Sequence, residues 1–440
     1  MLMKLLRHTL SILLVSSVGL TFAHAQEPPP ADASGQERIV TPEEVQQAVD
    51  DRKAILPFRI ISYPHRVITR QMEKGLITAE RKHLRERLRL WQDRMRELGI
   101  GAYFGGLGEQ TGFGGGGSYT LRPSDSQEVT FLARGTFARY QEFDIQWAVK
   151  PPKTQFTVEA SHQWRPKENF YGLGHDSLES QHTDFALSQS WVGARVEVRA
   201  PKHVTWGMEY KFVATRAKAG TNGLIASTPD VFPGLPGMGN LLHFHREGAY
   251  VDLDFSQGEY GWTGRGHFGA AHHEGTGESN LRYFSYEAQV EGRMPVIENR
   301  SALVGQIHLN LNHERRGSDE IPFYMRPHIG GSSTLRGFAL DRFYGKNLMM
   351  LSLEYRYGIH PNFQASIFHD AGQIFDRKSE LTWFNWHRNY GISLRLHSNY
   401  RTIMRVEYGH SSEGFNIHLS FGDRAPQPLG GAVRYGTYRR

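Results

Sequence analysis

The sequence has no cysteine among its 440 residues, so no disulfide bond contributes to its stability. It also lacks long apolar runs, because no stretch beyond the N-terminus reaches the roughly 20 apolar residues that a membrane-spanning helix needs. Its formal net charge of +6 is modest, and its basic residues are not gathered in patches interleaved with aromatics. These absences exclude a disulfide scaffold, a helical membrane protein and a nucleic-acid-binding protein.

The N-terminus has the three parts of a secretory signal peptide, which we assign to residues 1–25. Lys4 and Arg7 form the charged part, and an apolar stretch follows at 10–22. The small-x-small cleavage site is Ala23-His24-Ala25. The sequence therefore predicts export from the cytoplasm.

The segment 26–98 shows no β alternation and is predicted to be a disordered linker followed by a helical periplasmic segment. Between 67 and 98, apolar residues recur at spacings of three and four, as on one stripe of a basic amphipathic helix: Leu84, Leu88, Trp91, Met95 and Leu98. Such a helix packs on soluble protein or lies at the periplasmic membrane surface. The sequence leaves both open.

From residue 99 to 422 the sequence alternates with period 2, which predicts β-strands. One face of these segments is apolar and the other carries charges and amides, as where Leu303, Ile307, Leu309 and Leu311 oppose Gln306, His308, Asn310 and Asn312. A charge that met lipid at the bilayer midplane would cost roughly 2–4 kcal/mol, so the polar face must line a lumen. The apolar face then meets the lipid of the outer membrane.

Sixteen such segments are recognisable: 100–110, 111–122, 127–138, 139–150, 154–165, 183–199, 203–217, 243–256, 260–273, 280–294, 301–315, 347–358, 362–375, 386–397, 401–411 and 415–422. Short turns alternate with four long outer loops, at 166–182, 218–242, 316–346 and 376–385, as in outer-membrane barrels. We therefore predict an all-β fold: a sixteen-stranded antiparallel transmembrane β-barrel over 99–422, after a short helical N-terminal periplasmic segment. A basic C-terminal tail, 423–440, follows it.

The outer loop 316–346, called the Arg336 loop below, is rich in glycine between His328 and Phe338. Glycine lets a backbone reverse tightly and approach other walls closely. Glu354 and Asp370 follow on the polar faces of the next two predicted strands. An arginine on a flexible loop with two carboxylates on a lumenal face fits a loop held inside by charge. On residue types alone, a solvent-exposed arginine is the commoner arrangement.

The motifs Gly330-Gly331, Leu335-Arg336-Gly337-Phe338, Glu354 and Phe368-His369-Asp370-Ala371-Gly372 resemble those of the bacterial surface antigen family. This family comprises the BamA/TamA-type outer-membrane assembly and translocation barrels. The resemblance implies that Arg336 enters the barrel and meets Glu354 and Asp370. The loop-holding motif that it implies consists of Gly330, Gly331, Arg336, Gly337, Phe338, Glu354, Phe368, Asp370 and Gly372.

The resemblance also implies a function: insertion of outer-membrane proteins, or translocation of polypeptide or lipid. The expected partners are outer-membrane lipid and a polypeptide client, and accessory periplasmic proteins are left undefined. No strand pattern of a polypeptide-transport-associated module is found in 26–98, a departure from the family. Phe170-Tyr171-Gly172-Leu173-Gly174 also resembles family sequences, as an aromatic and glycine loop.

Two other classes of function stay open at this point. A passive channel needs only a water-filled lumen, which sixteen strands enclose. An enzyme or adhesin would present its residues on the loops 166–182 and 218–242. No Ser, His and Asp spacing singles out a catalytic set, so we predict no enzyme and no cofactor.

Two further motifs favour no ligand. Gly112 to Gly117 lacks the Lys-Ser/Thr and the helix of a phosphate loop. The pairs His243/His245 and His272/His273 have no identifiable carboxylate partners, so we predict no metal site.

Overall fold

The computed structural model describes residues 94–421, apart from residues 96, 201–202, 257–260, 298–299, 361, 383 and 399–400. The predicted signal peptide, the linker, most of the helical segment 67–98 and the tail 423–440 lie outside the described residues. Chain contacts separate one unit, 95–397 with 401–440, from residues 1–94 and 398–400. The first unit carries the sheet described next.

Nineteen strands form in the described part of the chain. Nine precede residue 260: Ile100–Phe104 (β1), Gly114–Ser124 (β2), Gln127–Thr136 (β3), Gln141–Val149 (β4), Thr154–Phe170 (β5), Thr183–Arg199 (β6), Val204–Ala219 (β7), Ala226–Ser227 (β8) and Leu241–Ser256 (β9). Ten follow: Thr263–Gly275 (β10), Arg282–Ile297 (β11), Ser301–Glu314 (β12), His328–Ile329 (β13), Phe343–Tyr344 (β14), Asn347–His360 (β15), Phe363–Phe375 (β16), His387–Ser398 (β17), Arg401–Ser411 (β18) and Gly414–Phe421 (β19).

The longer strands pair with their neighbours in chain order, and all these pairings are antiparallel. Each strand from β1 to β7 pairs with the next, β7 pairs with β9, and the pairing continues in order from β9 to β12. β12 then pairs with β15, β15 with β16, β16 with β17, and β18 with β19. Of the two-residue strands, β8 joins β6 in parallel, and β13 pairs with β14 inside the Arg336 loop. The prediction of an all-β antiparallel fold is confirmed.

Helical structure is scarce in the described residues. Residues 94, 95 and 97 are helical, and an α-helix of four residues, Thr228–Val231 (α1), lies in the loop 218–242. Turns of 3-10 helix occupy Glu179–Gln181, Phe323–Met325 and Lys378–Glu380. No helix in the part of the chain that the structure describes is long and apolar enough to cross a membrane.

The strands have the two-faced burial that the alternation predicted. On β19, Phe415, Ile417 and Leu419 are 60–65% exposed, whereas His418 between them is 9% exposed. Apolar side chains therefore cover the outer face of the sheet, and polar side chains are enclosed on the inner face.

Most predicted strand bounds differ from the observed ones by a few residues, and backbone conformation explains two of the differences. The first segment, predicted at 100–110, ends at Phe104, because Gly105 takes a φ of +128° and Gln110 a φ of +57°. The residues between β1 and β2, 105–113, form a loop instead, called the first loop below. The segment predicted at 139–150 begins at Gln141, since Arg139 has a φ of +70° in the preceding turn.

The outer loops pack against one another in an apolar cluster. Phe170 is at its centre, with edge-to-face contacts to Phe232, Phe323 and Tyr344 at centroid distances of 4.9–5.2 Å. These rings come from three of the predicted long loops or their ends. The loops therefore form one packed body at this end of the sheet, and the Arg336 loop is part of it.

Candidate functional site

The Arg336 loop folds back on itself before it reaches the inner face of the sheet. The Gly331 N–H donates to Phe338 O at 3.1 Å, and Thr334 Oγ1 accepts from the Gly330 N–H at 2.7 Å. Gly330 has a φ of +131°, and a Cβ there would lie 2.1 Å from Ala339 O. Only glycine fits this position, so the tight turn depends on it.

Apolar side chains hold the underside of this turn against β15 and β16. The buried group comprises Ile329, Leu335, Phe338, Phe343, Leu348, Met350 and Ile374. Gly372 on β16 lies beneath it, and a Cβ at that position would meet Ile329 Cδ1 at 2.7 Å. The glycine therefore allows the loop to lie flat on the strand.

Arg336 is fully buried and makes a two-pronged ion pair with Asp370, which is also fully buried. Its Nε donates to Asp370 Oδ2 at 2.9 Å, and its Nη2 donates to Oδ1 at 2.7 Å. Asp370 also accepts hydrogen bonds from Ser352 Oγ at 2.6 Å and from Asn389 Nδ2 at 3.0 Å. Such bidentate geometry is the strong form of the arginine–carboxylate contact.

The remaining nitrogen of Arg336 faces two glutamates. Nη1 donates to Glu407 Oε1 at 3.0 Å and approaches Glu354 Oε2 at 3.5 Å. The guanidinium carbon lies 3.3 Å from the ring centroid of Phe368, so the planar cation stacks on an aromatic face. The structure therefore brings together four residues of the predicted motif: Arg336, Glu354, Phe368 and Asp370.

Three more arginines balance these carboxylates. Arg395 Nη1 donates to Glu354 Oε1 at 2.5 Å, and Arg405 Nε lies 2.8 Å from Glu407 Oε2. Arg356 Nη2 lies 3.4 Å from Glu354 Oε2. Four arginines and three carboxylates leave a formal charge of 4 − 3 = +1. Both glutamates thus have cationic partners besides Arg336.

The backbone after Arg336 meets the hairpin of β18 and β19. Arg336 O accepts from His418 Nε2 at 2.8 Å. Gly337 O accepts from Ser411 Oγ at 2.8 Å and from Asn416 Nδ2 at 2.9 Å. Gly337 has no room for a side chain, because a Cβ would lie 2.5 Å from that of Asn389.

A second arginine, Arg342, joins the same loop to two other segments. Its Nε donates to Glu413 Oε2 at 3.0 Å in the turn between β18 and β19, and its Nη2 donates to Ser177 O at 2.7 Å. It also lies 4.9 Å from the ring centroid of Tyr171. Arg342 therefore connects the Arg336 loop to the outer loop 166–182.

The other sequence motifs take structural positions. Leu173 forms a bridge to Tyr344, and the Gly174 N–H donates to Tyr344 O at 2.7 Å, so the aromatic and glycine motif contacts the Arg336 loop. His273 is buried, and its Nε2 lies 3.0 Å from Ser285 Oγ. Among the described residues, no group of three His, Asp or Glu side chains is placed to hold a metal.

Comparison with known families gives a match over residues 243–422, which contain all the residues of the loop motif. The matching family is the Omp85 superfamily domain. The match confirms the predicted resemblance to the BamA/TamA-type barrels. No curated protein matches the chain.

Solved structures also resemble the chain. BamA from Haemophilus ducreyi, lacking POTRA domains 1–3, aligns with a TM-score of 0.54 at 11% identity, covering 74% of this chain and 68% of that one. CdiB from Acinetobacter baumannii aligns with a TM-score of 0.48 at 11% identity, covering 74% of this chain and 59% of that one. The likeness to BamA, at this identity, shows a shared fold.

Sequence reasoning missed several residues of the matched region, 243–422, that complete the site. Glu407 and Arg405 lie two apart on β18, and Arg395 and Asn389 lie on β17. Alternation places these charges on the inner face, which was the available signal. The contact of Glu407 with Arg336, 71 residues earlier, depends on how far the loop reaches inward, and no local pattern encodes this.

Proposed function

We propose that this chain is an outer-membrane β-barrel that aids insertion of outer-membrane proteins, or translocation of polypeptide or lipid. The sixteen strands of five or more residues would close the barrel, with lipid on the apolar face. The Arg336 loop would be held in the lumen by its arginine. The partners would be outer-membrane lipid and a polypeptide client, and no catalytic step is involved.

The observation that carries the proposal is the position of Arg336 within the Omp85 domain. Its side chain contacts β15, β16 and β18 at once, through Ser352 and Glu354, Asp370, and Glu407. A loop that only covered a passive pore would not need an arginine buried among three carboxylates. Burying such charges is costly unless each is paired, so the arrangement favours a role for the loop position itself.

The packing of the outer loops supports the same choice over an open channel. Phe323, Tyr324 and Met325 of the Arg336 loop are buried in the apolar cluster together with Phe170 and Phe185. Outer loops packed together in this way favour a covered mouth over a steadily open pore. A mouth filled by packed loops fits a barrel that opens only when it handles a client.

Reconstitution tests the proposal. The purified chain in vesicles of outer-membrane lipid is supplied with an unfolded outer-membrane protein, and insertion is followed by protection from added protease. We expect faster insertion than in empty vesicles, and slower insertion with Arg336→Ala than with the control Arg265→Ala, whose arginine is 59% exposed. Steady single-channel conductance without any acceleration of insertion would refute the proposal and support a passive channel.

A further inference from the structure

A polar contact outside the family motif lies where the first loop meets the last strand. Glu109 lies in the first loop, 105–113, where Thr111 Oγ1 accepts from the N–H groups of Leu107 and Gly108 at 2.9 and 3.1 Å. This compact turn directs the Glu109 side chain toward the Arg336 loop and β19. The side chain is 18% exposed.

Both carboxylate oxygens of Glu109 are occupied by residues distant in sequence. Oε2 accepts from the Ser332 N–H at 2.7 Å and from Ser332 Oγ at 2.8 Å. Oε1 lies 2.8 Å from His418 Nδ1. One carboxylate therefore joins the first loop, the Arg336 loop and the last strand.

His418 extends this contact to the backbone of Arg336. Its Nε2 lies 2.8 Å from Arg336 O, and a carbonyl oxygen only accepts hydrogen bonds. The Glu109 carboxylate at Nδ1 is also an acceptor, so both ring nitrogens donate and the ring is the cationic form. His418 thus pairs ionically with Glu109 while it fixes the residue that carries the guanidinium.

The space around Glu109 is matched to this contact. At Gly331, φ is +87° and a Cβ would lie 2.8 Å from Glu109 Oε2, so glycine admits the carboxylate here. Burial raises the pKa of Glu109, but the hydrogen bond and charge of His418, with the hydrogen bonds of Ser332, bring this pKa below its usual value. The carboxylate is therefore ionised in the assembled site.

We infer that Glu109 is a positioning residue that, through Ser332 and His418, holds the Arg336 loop against the last strand. The inference rests on the proposed function, because the loop position matters only if it governs client handling. When the last strand moves away from the first loop, the contact of Glu109 with His418 must break. The Arg336 loop then loses this support beside the last strand.

The absence of native cysteine allows a direct test. Ser333→Cys places one thiol beside the contact in the full chain, and Thr228→Cys places one in a different outer loop. The maleimide labelling rate is measured for each reporter with Glu109→Gln, His418→Gln, both together, or the exposed Glu278→Gln as control. Heat-modifiable migration on gels checks that every variant is folded.

We expect labelling at Ser333→Cys to rise about tenfold in either single variant, as for loss of one charge-assisted hydrogen bond, and hardly further in the double variant. Labelling at Thr228→Cys and in the Glu278→Gln control should not change. Unchanged labelling at Ser333→Cys, multiplied effects in the double variant, or an equal rise at both reporters would overturn the inference. If this pattern holds but the wild-type chain fails to accelerate client insertion, the proposed function fails and the positioning role stands.

Discussion

Removal of the Arg336 side chain should release its loop. The structure indicates which carboxylate accounts for most of the free energy that is lost. In Arg336→Ala, Glu354 keeps Arg395 at 2.5 Å and Glu407 keeps Arg405 at 2.8 Å. Asp370 would keep the neutral donors Ser352 and Asn389 but would lose its bidentate ion pair. Removing one partner of a buried ion pair costs roughly 3–5 kcal/mol.

Double-mutant cycles measure the coupling free energy of Arg336 with each of the three carboxylates. The coupling free energy of Arg336 with Asp370, measured with Asp370→Asn, should be about 3 kcal/mol, because both groups are fully buried and bidentate. The coupling with Glu354, measured with Glu354→Gln, should be below about 1 kcal/mol, since that contact is long and the glutamate has other partners. Glu407 should fall between the two.

The assay is limited proteolysis of the Arg336 loop in the folded barrel, in a regime where cleavage follows the population of the released loop. Since each 1.4 kcal/mol corresponds to about tenfold, Arg336→Ala should speed cleavage by about 10²- to 10³-fold. Arg265→Ala is the control. Equal coupling to all three carboxylates, or additive effects with Asp370→Asn, would refute the reasoning.

Two further substitutions test the fit of the loop without removing Arg336. In Gly409→Ala, a Cβ would lie 2.5 Å from Arg336 O, so we expect loop cleavage to rise by at least tenfold, whereas Gly292→Ala, where nothing lies within 4 Å, should have no effect. In Arg342→Lys, loss of the forked contact with Glu413 and Ser177 should raise thermolysin cleavage of loop 166–182 by up to about tenfold. Unchanged cleavage of that loop would show that Arg342 does not hold it.

Alternation allowed the strands and faces to be predicted well, because one face must exclude charge. The segment predicted at 183–199 is β6 with the same bounds, and the one predicted at 401–411 is β18. The error at 100–110 arose in a glycine-rich stretch. Because glycine has no side chain, such a stretch shows no alternation between an apolar and a polar face. Period-2 reasoning therefore succeeds where side chains differ between faces and fails in glycine-rich stretches.

Contacts of the Arg336 loop were less predictable. Glu354 and Asp370 were found because they follow the loop directly and belong to the motif. Glu109 lies 223 residues before Ser332, and Glu407 lies 71 residues after Arg336. These contacts form only when segments far apart in sequence come together around the loop. Local sequence patterns hold no information about such long-range contacts.

The Arg336 loop is held to its two sides by bonds of different strength. Toward β16 it has the bidentate pair with Asp370, in which both groups are fully buried. Toward β18 and β19 it has neutral hydrogen bonds from Ser411 and Asn416 to Gly337 O, the hydrogen bond from His418 to Arg336 O, and a contact with Glu407, which keeps Arg405 when it leaves. Neutral hydrogen bonds contribute only about 1 kcal/mol each. Movement of the last hairpin should therefore leave Arg336 on Asp370, so their coupling should survive in a Ser411→Ala/Asn416→Ala/His418→Gln variant. Loss of that coupling would mean that loop and hairpin move as one body.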